Sequence, residues 1–244
     1  MGELRTMALA DADAAGRTAA DLVSTVISAH PTASVVAATG RSPEALYAEL
    51  AARRDAGRLD TSRITAIQLD EYLGLERDDR RSLFGWMHRC FIAPLGIPDE
   101  RVVQLPLVGD LAAAGAAFDR DLAARGGVEL AILGIGHNGH LGFNEPPADA
   151  DSATRRVELS PSTIEANASY WGDVADVPTA AVTLGLAPLL AARTIVLVVA
   201  GRSKREILAR ALDGPVGPDV PASLLRRAPG DVTVIADRDA LGDR

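Results

Sequence analysis

The strongest constraint on folding in this sequence is a set of short runs that are apolar almost throughout and rich in β-branched side chains: Ser34–Ala38, Ile64–Leu69, Leu130–Leu133, Thr194–Val199 and Val232–Ile235. None alternates polar with apolar positions, so each predicts a strand buried on both faces, as in a parallel sheet. Segments with helical spacing lie between them, at Ala14–Ala29, Glu44–Arg53, Ser82–Phe91, Leu111–Ala124 and Lys204–Leu212. This alternation predicts an α/β fold: a doubly wound, mostly parallel sheet with helices on both faces, Rossmann-like in plan. A weaker strand, Val102–Leu105, precedes Pro106.

Hydrophobic residues make up 48% of the 244 positions, enough for one core without disulfides or a structural metal, and a single domain over 1–244 is expected. Cys90 is alone, which fits a reducing compartment, and its helical setting reads as packing rather than nucleophilic chemistry. The N-terminus lacks the apolar run of a signal peptide. The longest uncharged stretch, Val177–Ala192, is broken by Pro178, Gly185 and Pro188 and falls short of the ~20 residues a bilayer span needs. A cytoplasmic protein without a membrane partner is expected. The 33 acidic residues exceed the 25 basic ones by a net −8, and aromatics are 4%, so neither phosphate attraction nor base stacking favours nucleic acid. Between Pro146 and Pro178 no strand or helix period stands out, and Tyr170 and Trp171 lie inside; residues 147–178 are expected to form a lid.

Open α/β sheets bind ligands beyond the carboxyl ends of their strands, so the segments after each strand are the places to look. The first is Thr39-Gly40-Arg41-Ser42-Pro43, where Ser42 suits an N-cap and Pro43 a first helical position, aiming backbone N–H groups and the helix dipole at the turn. That describes an anion site, or simply a capped helix; it is not a Walker A loop, whose spacing is absent from the chain. The second is Asp70-Glu71-Tyr72, where adjacent carboxylates on a strand point to opposite sides. If Asp70 faces a pocket, burial raises its pKa towards that of a general base; otherwise it is a solvated turn acid. After the strand Thr194–Val199 comes Gly201-Arg202-Ser203-Lys204, where a lysine at a helix start opposes the dipole unless an anion is present or the side chain is solvated.

The richest segment is Gly134-Ile135-Gly136-His137-Asn138-Gly139-His140-Leu141-Gly142-Phe143-Asn144-Glu145-Pro146. Glycines 134, 136 and 139 satisfy the dinucleotide-binding spacing, with Glu158 near the position of a ribose-binding acid. The fingerprint also demands a helix starting within the glycines, and Gly142, Pro146 and Pro147 break any helix there, so the nucleotide reading fails. What remains is a loop that gathers Asn138, His140 and Glu145, an imidazole beside a carboxylate suited to proton transfer near neutral pH. As a metal signature it is weak, because two histidines three residues apart with no cysteine partner make a poor zinc set.

Taken together, Thr39–Pro43, Leu69-Asp70-Glu71-Tyr72-Leu73-Gly74-Leu75, Trp86-Met87-His88-Arg89, Gly134–Pro146 and Gly201–Lys204 resemble, in order and spacing, the glucosamine-6-phosphate deaminase family, with 6-phosphogluconolactonases as more distant relatives. The resemblance covers almost the whole chain. It implies a base at Asp70 that moves a proton between C2 and C1 of the opened amino sugar. It implies His140 assisting ring opening, oriented by Glu145, with Asn138 at a position that is Asp in some members. Thr39, Gly40, Arg41, Ser42 and Lys204 match the phosphate-binding set, the partner implied is a small phosphorylated amino sugar, and no metal or organic cofactor is implied.

Three departures mark this chain. Arg41 stands where relatives commonly carry a small residue, Ile164 stands where well-known members carry a phosphate-contacting arginine, and the chain ends at Arg244 without the longer tail of the allosteric site in hexameric relatives. Arg41 is expected to replace the lost lid charge, allosteric control is not expected, and a monomer or small homo-oligomer fits. The leading expectation is deamination of glucosamine 6-phosphate to fructose 6-phosphate and ammonia. Dehydration of N-acetylglucosamine 6-phosphate or a related sugar by the same base ranks second, ahead of a lactonase or a non-catalytic sugar-phosphate sensor.

Overall fold

The computed structural model describes residues 2–75 and 79–242, so both ends of the expected 1–244 domain, including Arg244, lie outside the described residues. In chain order the elements are β1 (Leu4–Leu9), α1 (Ala12–Ala29), β2 (Ser34–Ala37), α2 (Glu44–Asp55), β3 (Thr65–Gln68) and β4 (Asp70–Tyr72). Then come α3 (Leu83–Met87), which runs into a π-helical turn at His88–Ile92, β5 (Val102–Val103), α4 (Leu111–Ala124), β6 (Leu130–Leu133) and β7 (Arg155–Glu158). The last are α5 (Pro161–Trp171), β8 (Ala180–Thr183), α6 (Leu186–Leu190), β9 (Thr194–Val199), α7 (Arg205–Asp213), β10 (Asp231–Asp237) and α8 (Arg238–Leu241).

Seven strands form one parallel sheet in the order β1-β10-β9-β6-β2-β3-β5. Its strands are apolar on both faces because both are covered. Along β6, Ala131 and Leu133 join one core with Leu122 of α4 and Ile207 and Leu208 of α7, while Leu130 and Ile132 join the other with Val23 of α1 and Leu50 of α2. Successive side chains of a strand point to opposite faces, so an uninterrupted apolar run is what a two-sided sheet requires. The α/β, doubly wound reading of the sequence therefore holds.

A second, three-stranded sheet lies beyond what the sequence predicted. Strands β4, β8 and β7 pair antiparallel in that order, and the chain passes from the large sheet to the small one between β3 and β4. Asp70 is thus the first residue of a new strand instead of a turn after an old one. The stretch between Pro146 and Pro178 is not patternless: it contains β7 and the eleven-residue α5. Strand β7 is half exposed along its length, with Arg155, Arg156 and Glu158 in it, so it carries no apolar run. Helix α5 starts cleanly, with the Ser160 hydroxyl accepting from the Thr163 N–H and Pro161 in its first turn, but buries only Thr163 and Trp171 fully. Edge strand β1 escaped notice for the same reason, as its middle residues are exposed. Helix α2 begins at Glu44 as expected, but Ser42 does not cap it: Pro43 stands at the cap position and no side chain is bonded to the first turn. Among the described residues no helix is long and apolar enough to cross a membrane.

Candidate active site

From β2 the chain moves outward through β3 to β5, then returns to place β6 on the other side of β2. Ligand sites form where strand order reverses in this way, because the loops leaving the two strands diverge and leave a crevice. Here the loops after β2 and β6 carry Thr39–Ser42 and Gly134–His140, and both line a cavity of about 730 Å³. Asp70, Tyr72 and Lys204 line it as well.

Asp70 is 6% exposed, and its Oδ1 has no hydrogen-bond partner among the described residues. Burial, assisted by the neighbouring Glu71 carboxylate, pushes its pKa up to about 7. Glu71 points the other way, as strand geometry requires. Its carboxylate accepts from the backbone N–H groups of Leu83 and Phe84 at 2.9 and 2.8 Å, and from Tyr72 N–H and Gln68 Nε2. Of two adjacent acids, one therefore anchors the start of α3, while the other is left unpaired in the cavity.

The loop after β6 brings Asn138, His140 and Glu145 together. Asn138 Nδ2 donates to Glu145 Oε1 at 3.2 Å, and the His140 backbone N–H donates to Asn138 Oδ1 at 3.2 Å. His140 Nδ1 stands 3.7 Å from Glu145 Oε1, within ion-pair reach but beyond a hydrogen bond. Burial alone would raise the Glu145 pKa. The His140 imidazole, the Thr163 hydroxyl and the Ser160 N–H and hydroxyl reverse that and hold the carboxyl well below the usual range. Only His140 of the three lines the cavity; Asn138 and Glu145 stand behind it. The loop is fixed from below by Asn144, fully buried, whose Nδ2 donates to the carbonyls of Leu141 and Leu184 while its Oδ1 accepts from Arg155 Nη1. At Gly142 φ is +59°, and a Cβ would come within 2.8 Å of Thr183 Oγ1, whose hydroxyl accepts from the Phe143 N–H.

Lys204 sits immediately before α7, and its Nζ donates to the Ile135 carbonyl at 2.8 Å, with burial lowering its pKa. It lines the same cavity as Thr39, Gly40, Arg41 and Ser42, which makes one rim rich in backbone N–H groups and positive charge. No side chain caps α2, and the N–H of its first residue, Glu44, donates to the Arg41 carbonyl at 3.2 Å. Ile164 packs on Tyr72, Phe143 and Trp171 in the core of the small sheet and does not line the cavity.

The structure adds residues that sequence reasoning passed over. Arg80 and Arg81 line the cavity too, beside Arg89 of the Trp86–Arg89 segment. Arg81 lies 4.5 Å from the centre of the Trp171 ring and pairs with Asp79 at 2.8 Å; Arg89 Nη2 donates to the Arg80 carbonyl. The adjacent arginines before Ser82 were the available signal. Tyr72 packs edge-on against Trp171, and its hydroxyl accepts from Asn167 Nδ2 at 2.9 Å. Asn167, Tyr170 and Trp171 thus bring α5 to the cavity wall. Glu158, the rejected ribose acid, is exposed and pairs with Arg156. Among the described residues no group of three or more His, Cys, Asp or Glu side chains is placed to hold a metal ion.

A parallel sheet with its crevice at the switch point, a basic N–H-rich rim, an unpaired carboxyl group titrating near neutrality and a carboxylate-backed imidazole defines the layout of an acid–base catalyst for a small anionic ligand. The chain belongs to the family described as glucosamine-6-phosphate isomerases/6-phosphogluconolactonase, whose model matches residues 8–234. It is 38% identical over 220 residues to a glucosamine-6-phosphate deaminase of Lachnoclostridium phytofermentans, covering 90% of this chain and 93% of the relative. Identity reaches 42% over 205 residues with a glucosamine-6-phosphate deaminase of Rhodopirellula baltica, covering 83% of this chain and 81% of the relative. Among solved structures, one of a monomeric glucosamine-6-phosphate deaminase superposes with a TM-score of 0.93 at 33% identity, covering 98% of this chain and all of the other. A 6-phosphogluconolactonase from Trypanosoma brucei has a TM-score of 0.78 at 17% identity, covering 98% of both chains, which is likeness of fold alone.

Proposed function

We propose that this protein converts glucosamine 6-phosphate to fructose 6-phosphate and ammonia. The observation that carries the reading is the unpartnered Asp70 carboxyl group, buried in the same cavity as His140 and titrating near neutral pH. Such a group is wasteful in a structural role and suited to taking a proton from carbon. His140 transfers a proton between the C1 hydroxyl and the ring oxygen, opening the pyranose, with the Glu145 carboxylate 3.7 Å behind its Nδ1. Asp70 removes the proton from C2 as the C1 carbonyl becomes an enol. The same carboxyl returns that proton to C1, the nitrogen lone pair is released into a C2=N bond, and water adds at C2 to give the ketose and ammonia. Deamination of glucosamine 6-phosphate is favoured over the dehydration reading by the named deaminases at 38–42% identity.

The Thr39–Ser42 loop and Lys204 hold the phosphate, and the 147–178 segment covers the sugar through Asn167, Tyr170 and Trp171 of α5. Incubation with glucosamine 6-phosphate, and separately with its N-acetyl form, tests the activity. Ammonia and fructose 6-phosphate from the first sugar alone are expected. Ultraviolet-absorbing unsaturated sugar from the second, with no ammonia from the first, would replace deamination with dehydration, and no product from either would remove both.

Arg41 replaces the charge absent at Ile164, from the opposite side of the phosphate. Arg41→Ala is therefore expected to raise KM for the phosphorylated sugar about tenfold, the worth of one exposed charge-assisted hydrogen bond, with little change in kcat. An unchanged KM would show that the guanidinium does not reach the phosphate.

A further inference from the structure

The geometry points to His137 as a positioning residue for the His140–Glu145 pair, acting through a hydrogen-bonded line across Ser162 and Ser160. The line is continuous. His137 Nε2 lies 3.2 Å from Ser162 Oγ, Ser162 Oγ lies 3.1 Å from Ser160 Oγ, and the Ser160 hydroxyl donates to Glu145 Oε1 at 2.8 Å. Glu145 Oε1 in turn faces His140 Nδ1 at 3.7 Å. The inference rests on the proposed role of that pair in ring opening.

A consistent direction of donation runs along the line. A carboxylate can only accept, so the Ser160 hydroxyl must give its proton to Glu145, which leaves its oxygen to accept from Ser162. Ser162 can then accept only from the His137 Nε2–H, which selects the tautomer carrying its proton on that nitrogen. Each donor polarises the next, so the carboxylate is held more firmly than one hydroxyl would hold it. The two imidazoles also meet edge to face, with centroids 5.9 Å apart. Besides Ser162 of α5, the groups facing His137 are His140 on its own loop, Lys204 at the start of α7 and Glu145; burial, then His140 and Lys204, lower its pKa, and Glu145 opposes them. Neutral His137 therefore prevails at neutral pH, which suits a donor that adds no positive charge beside His140.

The consequence is directional. When the line is cut, Glu145 keeps more of its basicity for His140, the imidazolium form is favoured, and the titration of His140 moves up. The test follows the His140 ring proton by NMR titration, alongside kcat and KM for glucosamine 6-phosphate across pH. His137→Ala and Ser162→Ala are each expected to raise the His140 pKa by about half a unit, the effect of losing one net hydrogen bond, and to shift the pH profile of kcat likewise with KM held. The double variant should equal either single one, because both cut the same line, and His137→Gln should restore the wild-type profile through its amide N–H. An unmoved His140 titration in both single variants, or additive shifts in the double, overturns the inference. Absence of turnover in the wild type with the NMR shifts intact would instead overturn the deaminase reading.

Discussion

Asp70→Asn is expected to lower kcat/KM for glucosamine 6-phosphate about 10³-fold, since amide nitrogen and oxygen cannot accept a proton from carbon and a positioned base contributes 10²- to 10⁴-fold. The same substitution should make the protein more stable at neutral pH. The folded-state pKa of Asp70 is raised to about 7, while the unfolded value is ~3.9. Between those values the folded protein holds a proton that the unfolded chain releases, so wild-type stability falls as pH rises from about 4 to about 7 and is level above. The variant lacks that penalty, which is at most ~4 kcal/mol and is reduced by water in the cavity. Urea unfolding at pH 4 and pH 8, with ammonia release measured in parallel, reads both effects. Wild-type turnover would remove Asp70 from its role, and a variant less stable than wild type at pH 8 would show that the carboxylate has a partner. In the wild type, the acid limb of kcat/KM should fall tenfold per pH unit below about 7.

Gly136→Ala is expected to be nearly as damaging to catalysis although it adds one methyl group. A Cβ at this position would collide with Nε2, Cδ2 and Cε1 of the His140 ring, its three nearest atoms. The nearest obstacle is a side chain, so the imidazole is expected to swing away while the backbone stays in place, and the cost falls on the catalytic geometry more than on folding. Misplacement of a reacting group by about 1 Å can cost 10²-fold, and a loss of that order in kcat/KM is expected with a penalty of about 1–3 kcal/mol in stability. Steady-state kinetics and thermal unfolding on the same preparation separate the two. Full activity would mean that the ring does its work from another position, and unfolding would mean that the loop cannot yield.

Much of the site could be read from strand ends alone. Asp70, His140, Lys204 and Thr39–Ser42 do converge on one cavity, because every parallel strand delivers its following loop to the same edge of the sheet. Glu71 turned away from Asp70 because neighbours on a strand must. The residues that were missed sit where no periodicity marks them. Arg80 and Arg81 precede a helix of five residues, and Asn167 lies on a helix that buries two side chains. Ser42 shows the opposite error: a good capping residue followed by proline predicts a cap, yet the helix starts after Pro43 and the side chain makes no such bond.

By itself the sequence determined the large sheet apart from its edge strand β1, since nearly continuous β-branched apolar runs fit strands covered on both faces. It also determined which loops carry chemistry, through glycine, histidine and carboxylate density. Tertiary structure alone decided that Asp70 Oδ1 has no hydrogen-bond partner among the described residues, that Glu145 is bound to the first turn of α5 and that His137 is tied to it through two serines. Those facts depend on which side chains from distant segments come within about 3 Å of each other, and hydrogen bonds and desolvation are set at that range. Sequence pattern records which face a residue occupies, and the shift of an acid's pKa is settled by what occupies the space in front of it.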